Sequence, residues 1–145
     1  MSITRKLYLF GFAIYVFSFF LPAIFVFNTP YYGYMSAYVA FGLLFDPIEI
    51  IDYYLIIAAN IANICVLLVF ILHFRVTFTR LLPLQLIAFL AAASLAAASL
   101  FQESELGPLL IGYWNWLFGI FFMLVVMVAS FKANKTAQGV CQRDH

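Results

Sequence analysis

The hydrophobic positions of this chain fall into four long stretches without Asp, Glu, Lys or Arg. They cover residues 7–27, 53–74, 81–101 and 109–131. A helix needs about 20 consecutive apolar residues to cross a hydrocarbon core of about 30 Å, because each helical residue advances about 1.5 Å. Each stretch therefore predicts one membrane-spanning helix, and together they predict an all-α, integral membrane four-helix bundle in a single domain, residues 1–131.

Two segments outside these spans also have a recognisable pattern. Residues 33–45 form a shorter hydrophobic run between Pro30 and Pro47, too short to cross a membrane. This run predicts a short interfacial helix in the first external loop, either a lid over the bundle or half of a ligand vestibule. Residues 132–145 are polar and predict a cytoplasmic tail without regular structure.

The composition supports lipid as the surrounding medium. Hydrophobic residues make up 67% of the 145 residues, and charged residues only 9%. A soluble domain is about half apolar and a quarter charged, so an ordinary soluble globule is excluded. The net charge of +1 gives no basic excess, so no nucleic-acid partner is expected.

The charged residues divide between the two sides of the predicted bundle. All 7 Lys and Arg precede the first span, join the second to the third, or follow the fourth: Arg5, Lys6, Arg75, Arg80, Lys132, Lys135 and Arg143. Most acids lie in the other two loops: Asp46, Glu49, Asp52, Glu103 and Glu105. Short loops rich in Lys and Arg stay in the cytoplasm, so both termini are predicted to be cytoplasmic.

Polar side chains within the spans predict helix contacts or a binding pocket. Asn60 and Asn63 are three residues apart and share one helix face. They could bond to neighbouring helices or line a polar pocket in the outer half of the bundle. The alanines of the third span predict close packing, and Gly112 and Gly119 predict a matching groove on the fourth.

Candidate partner- or ligand-binding residues combine the external acids with these amides and the aromatic residues beside them. They are Asp46, Glu49, Asp52, Asn60, Asn63, Glu103, Glu105, Trp114, Asn115 and Trp116. The acids could lie in these loops simply because basic residues are excluded from the external side, and this interpretation is favoured. They could instead contact a basic partner or bind a divalent cation, but no metal site is predicted. Tyrosines 31, 32, 34 and 38 predict a belt at the external membrane boundary or, less favoured, a stacking platform.

The sequence contains no common catalytic motif. It lacks HExxH, Walker A, GxSxG and CxxC patterns. His73 ends the second span on the inner side, about 30 Å across the membrane from the external acids, so no acid is expected to orient it. We therefore expect neither an enzyme nor a cofactor.

Three short patterns carry a resemblance. The first span ends in Phe20-Leu21-Pro22-Ala23, the second contains Ala59-Asn60, and the fourth begins, after Gly107 and Gly112, with Tyr113-Trp114-Asn115-Trp116. In this order they resemble a broad group of uncharacterised small four-span bacterial inner-membrane proteins. The resemblance implies a multi-pass location in the bacterial inner membrane. The chain departs from the group at Asn115, which replaces an apolar residue, and at Asn63, which adds a second amide.

These features favour a non-enzymatic protein that acts through protein–protein contacts in or beside the membrane. It would be an accessory subunit of an envelope complex, or an immunity protein against a membrane-targeting toxin, with a membrane or periplasmic protein as partner. The alternative is a small-molecule or lipid binding or transport site in the outer half of the bundle. The sequence leaves open whether the chain assembles with copies of itself.

Overall fold

The computed structural model describes residues 3–26, 29–43, 50–101 and 110–141. Within these ranges the chain forms five helices and one two-stranded antiparallel hairpin. Their bounds are α1 Ile3–Ser18, β1 Pro22–Val26, β2 Thr29–Tyr32, α2 Gly33–Leu43, α3 Ile50–Leu72, α4 Phe78–Phe101 and α5 Ile111–Cys141. The mostly helical fold predicted from the hydrophobic pattern is confirmed.

Among the residues that the structure describes, two helices are long and apolar enough to cross a membrane. The qualifying segments are Arg80–Ala97 in α4 and Ile111–Ala133 in α5, and Ile57–Leu72 in α3 is a shorter apolar segment. These three segments fall on the last three predicted spans. The short helix predicted for residues 33–45 is present as α2.

The first predicted span is not one continuous helix. The hydrophobic run over residues 7–27 predicts helix throughout, but α1 ends at Ser18 and Pro22–Val26 forms β1. Pro22 has no backbone N–H to donate and disfavours helical geometry in the preceding residue. The following Ile-Phe-Val sequence has high strand propensity, and it pairs with Thr29–Tyr32 instead of extending the helix.

The polar tail is also different from the prediction. Helix α5 continues through Cys141, so most of residues 132–145 is helical rather than irregular, while residues 142–145 lie outside the described ranges. The segment contains no proline and several good helix formers. Extending an existing helix adds one hydrogen bond per residue without a new nucleation cost, which favours this outcome.

Helices α1, α3, α4 and α5 pack around one hydrophobic core. Backbone contacts join α1 to α5, α5 to α4, and α4 to α3. Aromatic side chains complete the ring between α1 and α3, where the rings of Phe12 and Phe70 stack with centroids 3.8 Å apart. The centre is filled by fully buried side chains, among them Val66, Ile120 and Met127.

Glycines permit a close approach between α5 and the first part of the chain. A Cβ atom on Gly119 would lie 2.9 Å from the backbone nitrogen of Tyr15, and one on Gly112 would lie 2.7 Å from the carbonyl oxygens of Leu21 and Pro22. The prediction that these glycines face the alanines of the third span is therefore wrong. Their missing side chains bring α1 and β1 against α5.

The outward faces of the bundle are apolar. These faces carry side chains that are about half exposed: Leu67 and Ile71 on α3, Ile87 and Leu90 on α4, and Phe118 on α5. Polar side chains instead lie inside, including Ser18, Asn60, His73 and Gln85. This distribution is the reverse of a helix bundle in water, whose exposed faces are polar.

Candidate functional site

An internal polar cluster joins three helices in the bundle. The side-chain oxygen Oδ1 of Asn63 on α3 accepts a hydrogen bond of 2.8 Å from the Tyr15 hydroxyl on α1. The same oxygen accepts a 3.0 Å bond from Nε1 of Trp116 on α5. Tyr15 and Trp116 are both buried. We call these residues, Tyr15, Asn63 and Trp116, the amide cluster.

Close packing fixes the geometry of the amide cluster. The Tyr15 ring lies between Phe12, at a centroid separation of 5.7 Å, and Phe19, at 5.2 Å. Its backbone rests against Gly119, one turn after Trp116 on α5. A side chain larger than hydrogen at residue 119 would push the Tyr15 hydroxyl away from Asn63. The cluster is therefore set by α1–α5 packing as much as by its own hydrogen bonds.

Two further hydrogen bonds connect α4 to α5. The Tyr113 hydroxyl donates to the carbonyl oxygen of Ala92 at 2.9 Å, and Nε2 of Gln85 donates to the carbonyl oxygen of Ile120 at 3.0 Å. Both Ala88 and Ala92 are fully buried, so the small-residue face of α4 is used inside the bundle. The Oε1 atom of Gln85 is buried without a partner in the described part of the chain.

A second buried group lies where α1 begins and α3 ends. The rings of Tyr8 and His73 have centroids 5.3 Å apart, and Phe78 of α4 lies at the same distance from Tyr8. Nδ1 of His73 donates to the carbonyl oxygen of Phe70. The Tyr8 hydroxyl and Nε2 of His73 have no hydrogen-bond partner among the described residues. No group of three or more His, Cys, Asp or Glu that could hold a metal occurs in those residues.

The structure brings together only part of the predicted set. Asn63 and Trp116 meet in the amide cluster, and Asn60 is buried in α3. Asn115 is half-buried, whereas Trp114 is 46% exposed on the other side of α5 from Trp116. The predicted residues of α5 therefore do not converge on one cleft.

The predicted acidic residues lie almost entirely outside the described ranges. These are Asp46, Glu49, Glu103 and Glu105. Asp52 belongs to the first turn of α3. Tyr15 is the cluster residue that sequence reasoning missed. Its signal was a tyrosine in the middle of an apolar stretch, away from the boundary where membrane tyrosines accumulate.

The hairpin and α2 form an aromatic groove of about 600 Å³. Its lining consists of Tyr31 from β2 and Tyr34, Met35 and Tyr38 from α2. Tyr34 and Tyr38 are one turn apart, so their rings project from the same face of the helix. Tyr34 is 51% and Tyr38 81% exposed. We call this feature the tyrosine groove.

Backbone contacts hold the tyrosine groove against the end of α1. The Gly33 N–H donates to the carbonyl oxygen of Leu21 at 3.0 Å, and the Tyr34 N–H donates to that of Phe19 at 2.9 Å. A Cβ atom on Gly33 would lie 2.7 Å from the Cα atom of Phe19. Only glycine permits this approach, so α2 begins in a fixed position relative to α1.

Comparison of this chain with protein-family models, with curated proteins and with solved structures finds no match. The chemistry of the amide cluster and of the tyrosine groove is therefore argued from their geometry. The amide cluster has its polar atoms turned toward one another inside the bundle. The tyrosine groove turns its side chains outward.

Proposed function

We propose that this chain is a non-enzymatic protein of the bacterial inner membrane that acts by binding another protein. In this proposal α1, α3, α4 and α5 cross the bilayer and α2 lies at its outer interface. The partner is a membrane or periplasmic protein. The chain is then an accessory subunit of an envelope complex or an immunity protein against a membrane-targeting toxin.

Helix length supports the crossings of α3, α4 and α5, and the apolar surface of the bundle supports its insertion in lipid. Helices α3, α4 and α5 contain 23, 24 and 31 residues, which correspond to about 35, 36 and 46 Å. Each is longer than a hydrocarbon core of about 30 Å. Their exposed faces are apolar and their polar side chains bond inside the bundle, an arrangement that lipid favours and water does not.

The position of the basic residues supports cytoplasmic termini. The contact of Tyr8 with His73 and Phe78 places the start of α1 beside the α3–α4 connection. Arg5 and Lys6 therefore lie at the same end of the bundle as Arg75 and Arg80. Basic residues near the ends of spans stay on the cytoplasmic side.

A reporter fusion tests this orientation. Alkaline phosphatase fused after residue 145 is expected to be inactive, because the enzyme folds only outside the cytoplasm, and green fluorescent protein at the same site is expected to fluoresce. A matched pair of fusions within residues 44–49 is expected to give the opposite result. Active phosphatase after residue 145 would contradict the orientation.

The observation that carries the proposed protein binding is the exposed aromatic face of α2. Tyr34, Tyr38 and Phe41 recur at the spacing of one helix face, and each is more than half exposed. The helix packs against α3 and the hairpin. Tyrosine, phenylalanine and methionine are enriched where protein interfaces bury their cores. An aromatic face of this kind at the outer end of the bundle suits a protein partner.

The alternative, a lipid or small-molecule site in the outer half of the bundle, has less support. Its expected lining included Asn63 and Trp116, which bond to each other. Trp114 faces away from them. Amides and indoles that satisfy one another have less capacity to bind a ligand, so their arrangement favours a structural role.

An affinity pull-down in mild detergent tests the proposed function. The tagged chain, expressed in its native host, is expected to retain a stoichiometric protein partner. The double variant Tyr34→Ala/Tyr38→Ala is expected to retain at least about tenfold less partner than the wild type. Truncating aromatic hot-spot residues typically costs 2 kcal/mol or more of binding free energy. The control Ile87→Ala/Leu90→Ala changes an exposed face of α4 and is expected to retain the partner. A wild-type preparation with a bound lipid or metabolite and no protein would contradict the proposal and favour the alternative.

A further inference from the structure

The tyrosine groove differs in chemistry from the rest of the exposed apolar surface. The outward faces of α3 and α4 carry aliphatic residues such as Leu67, Ile71 and Leu90. The groove is lined by three tyrosines and one methionine. The face of an aromatic ring carries partial negative charge, which aliphatic groups lack, and it attracts cations.

Contacts beside the groove order the hairpin and the first turn of α2. The rings of Tyr32 and Tyr34 stack with centroids 6.1 Å apart, and the Ser36 hydroxyl donates to the carbonyl oxygen of Tyr32 at 3.2 Å. The contact of Gly33 with Phe19 fixes the start of α2.

The sequence places no Lys or Arg close to the residues that line this groove. The sequence has no Lys or Arg between Lys6 and Arg75, or between Arg80 and Lys132. The residues that follow α2 include two acids, Asp46 and Glu49. In the proposed orientation the two external loops carry most of the acids in the sequence, and this negative charge attracts positive groups to the outer side. A cation bound in the groove would therefore come from another molecule.

We propose that the tyrosine groove binds the Lys ammonium or Arg guanidinium group of the protein partner. The inference rests on the proposed function and specifies the chemistry of its partner. The rings of Tyr34 and Tyr38 would contact the cation by their faces, and the apolar walls would contact its alkyl stem. The external negative charge would raise the rate of encounter with a basic segment.

Peptide binding to the full chain tests the inference. The chain is held in dodecyl maltoside micelles, which have neither charge nor ammonium groups. The probes are a fluorescein-labelled peptide of alternating Lys and Gly and a matched peptide of alternating Glu and Gly, followed by fluorescence anisotropy. Tyr38→Phe keeps the aromatic ring, Tyr38→Leu removes it, and Phe118→Leu removes an exposed ring on α5, outside the groove lining.

The lysine peptide is expected to bind, and the glutamate peptide is not. Tyr38→Leu is expected to weaken binding about two- to fivefold, the range for a cation–π contact at an exposed ring, while Tyr38→Phe and Phe118→Leu leave the affinity unchanged. Equal affinity of Tyr38→Phe and Tyr38→Leu, or equal binding of both peptides, would overturn the inference. If added phosphatidylcholine displaces the peptide from the wild-type protein, the groove binds lipid headgroups. This result would overturn the inference as well.

The pull-down separates this inference from the proposed function. Equal capture of the partner by Tyr38→Phe and Tyr38→Leu would refute the cation site and leave partner binding intact. Failure of the wild-type chain to capture any protein would refute the proposed function. Loss of partner capture by Tyr38→Leu, with capture retained by Tyr38→Phe, supports both the cation site and the proposed function.

Discussion

Asn63→Leu is expected to lower the free energy of unfolding by about 2 kcal/mol. The substitution removes the oxygen that accepts from both Tyr15 and Trp116 and leaves two buried donors without a partner. An orphaned buried donor costs about 1–3 kcal/mol, although interhelical hydrogen bonds in membranes average only about 0.6 kcal/mol. Because one substitution leaves two donors unpaired, the expected loss exceeds that of a single interhelical hydrogen bond. Unfolding in mixed micelles of dodecyl maltoside and dodecyl sulfate measures it.

A double-mutant cycle provides the control for this prediction. In a Tyr15→Phe background one of the two donors is already absent, so Asn63→Leu is expected to cost about 1 kcal/mol less than in the wild type. Tyr15→Phe removes only the hydroxyl and keeps the ring between Phe12 and Phe19. Strictly additive effects of the two substitutions would show that Tyr15 and Asn63 do not interact.

Gly119→Ala is expected to destabilise the bundle by about 2 kcal/mol. The new methyl group would meet the backbone of Tyr15, at 2.9 Å from its nitrogen and 3.0 Å from its Cα atom. Backbone atoms cannot rotate aside as a side chain does, so α1 and α5 must separate. Overpacking costs typically 1–3 kcal/mol, and the better helix propensity of alanine offsets up to about 1 kcal/mol. The same micelle unfolding experiment measures the result.

Gly42→Ala is the matched control. A Cβ atom on Gly42 would have nothing within 4 Å, so the substitution has only the helix-propensity gain. We expect unchanged or slightly increased stability. Because Gly119 also positions Tyr15, Gly119→Ala is expected to change the fluorescence of the tryptophans as the Trp116 hydrogen bond weakens. A Gly119→Ala protein as stable as Gly42→Ala would contradict the close α1–α5 packing.

The hydrophobic pattern predicted α3, α4 and α5 because uninterrupted apolar stretches of this length have few alternatives to helix. It failed at the end of α1, where composition stays apolar while the backbone changes. The Ile-Phe-Val sequence after Pro22 is equally hydrophobic as helix or strand, so only local backbone preference and pairing with Thr29–Tyr32 separate the two. Hydrophobicity reports burial or lipid contact and does not report backbone geometry.

The sequence predicted which types of residue form the amide cluster, but it did not predict which of them are hydrogen-bonded to one another. The spacing of Asn60 and Asn63 identified one polar face of α3, yet the sequence did not identify Tyr15 and Trp116 as the donors to Asn63. Those partners are 48 and 53 residues away along the chain and depend on which helix faces meet. The glycines that set those faces were recognised as packing residues, but they were assigned to the wrong neighbour.

The length of α1 has a consequence for the surrounding lipids. Its 16 residues span about 24 Å, which is shorter than a typical hydrocarbon core and shorter than the other three helices of the bundle. In the proposed bilayer the acyl chains beside α1 must compress or tilt, and this hydrophobic mismatch costs a fraction of a kcal/mol per ångström. The membrane would be thinner on one flank of the protein than on the other. Neighbours with equally short spans would then relieve the deformation by collecting on that flank, an attraction carried by the lipids without any direct contact.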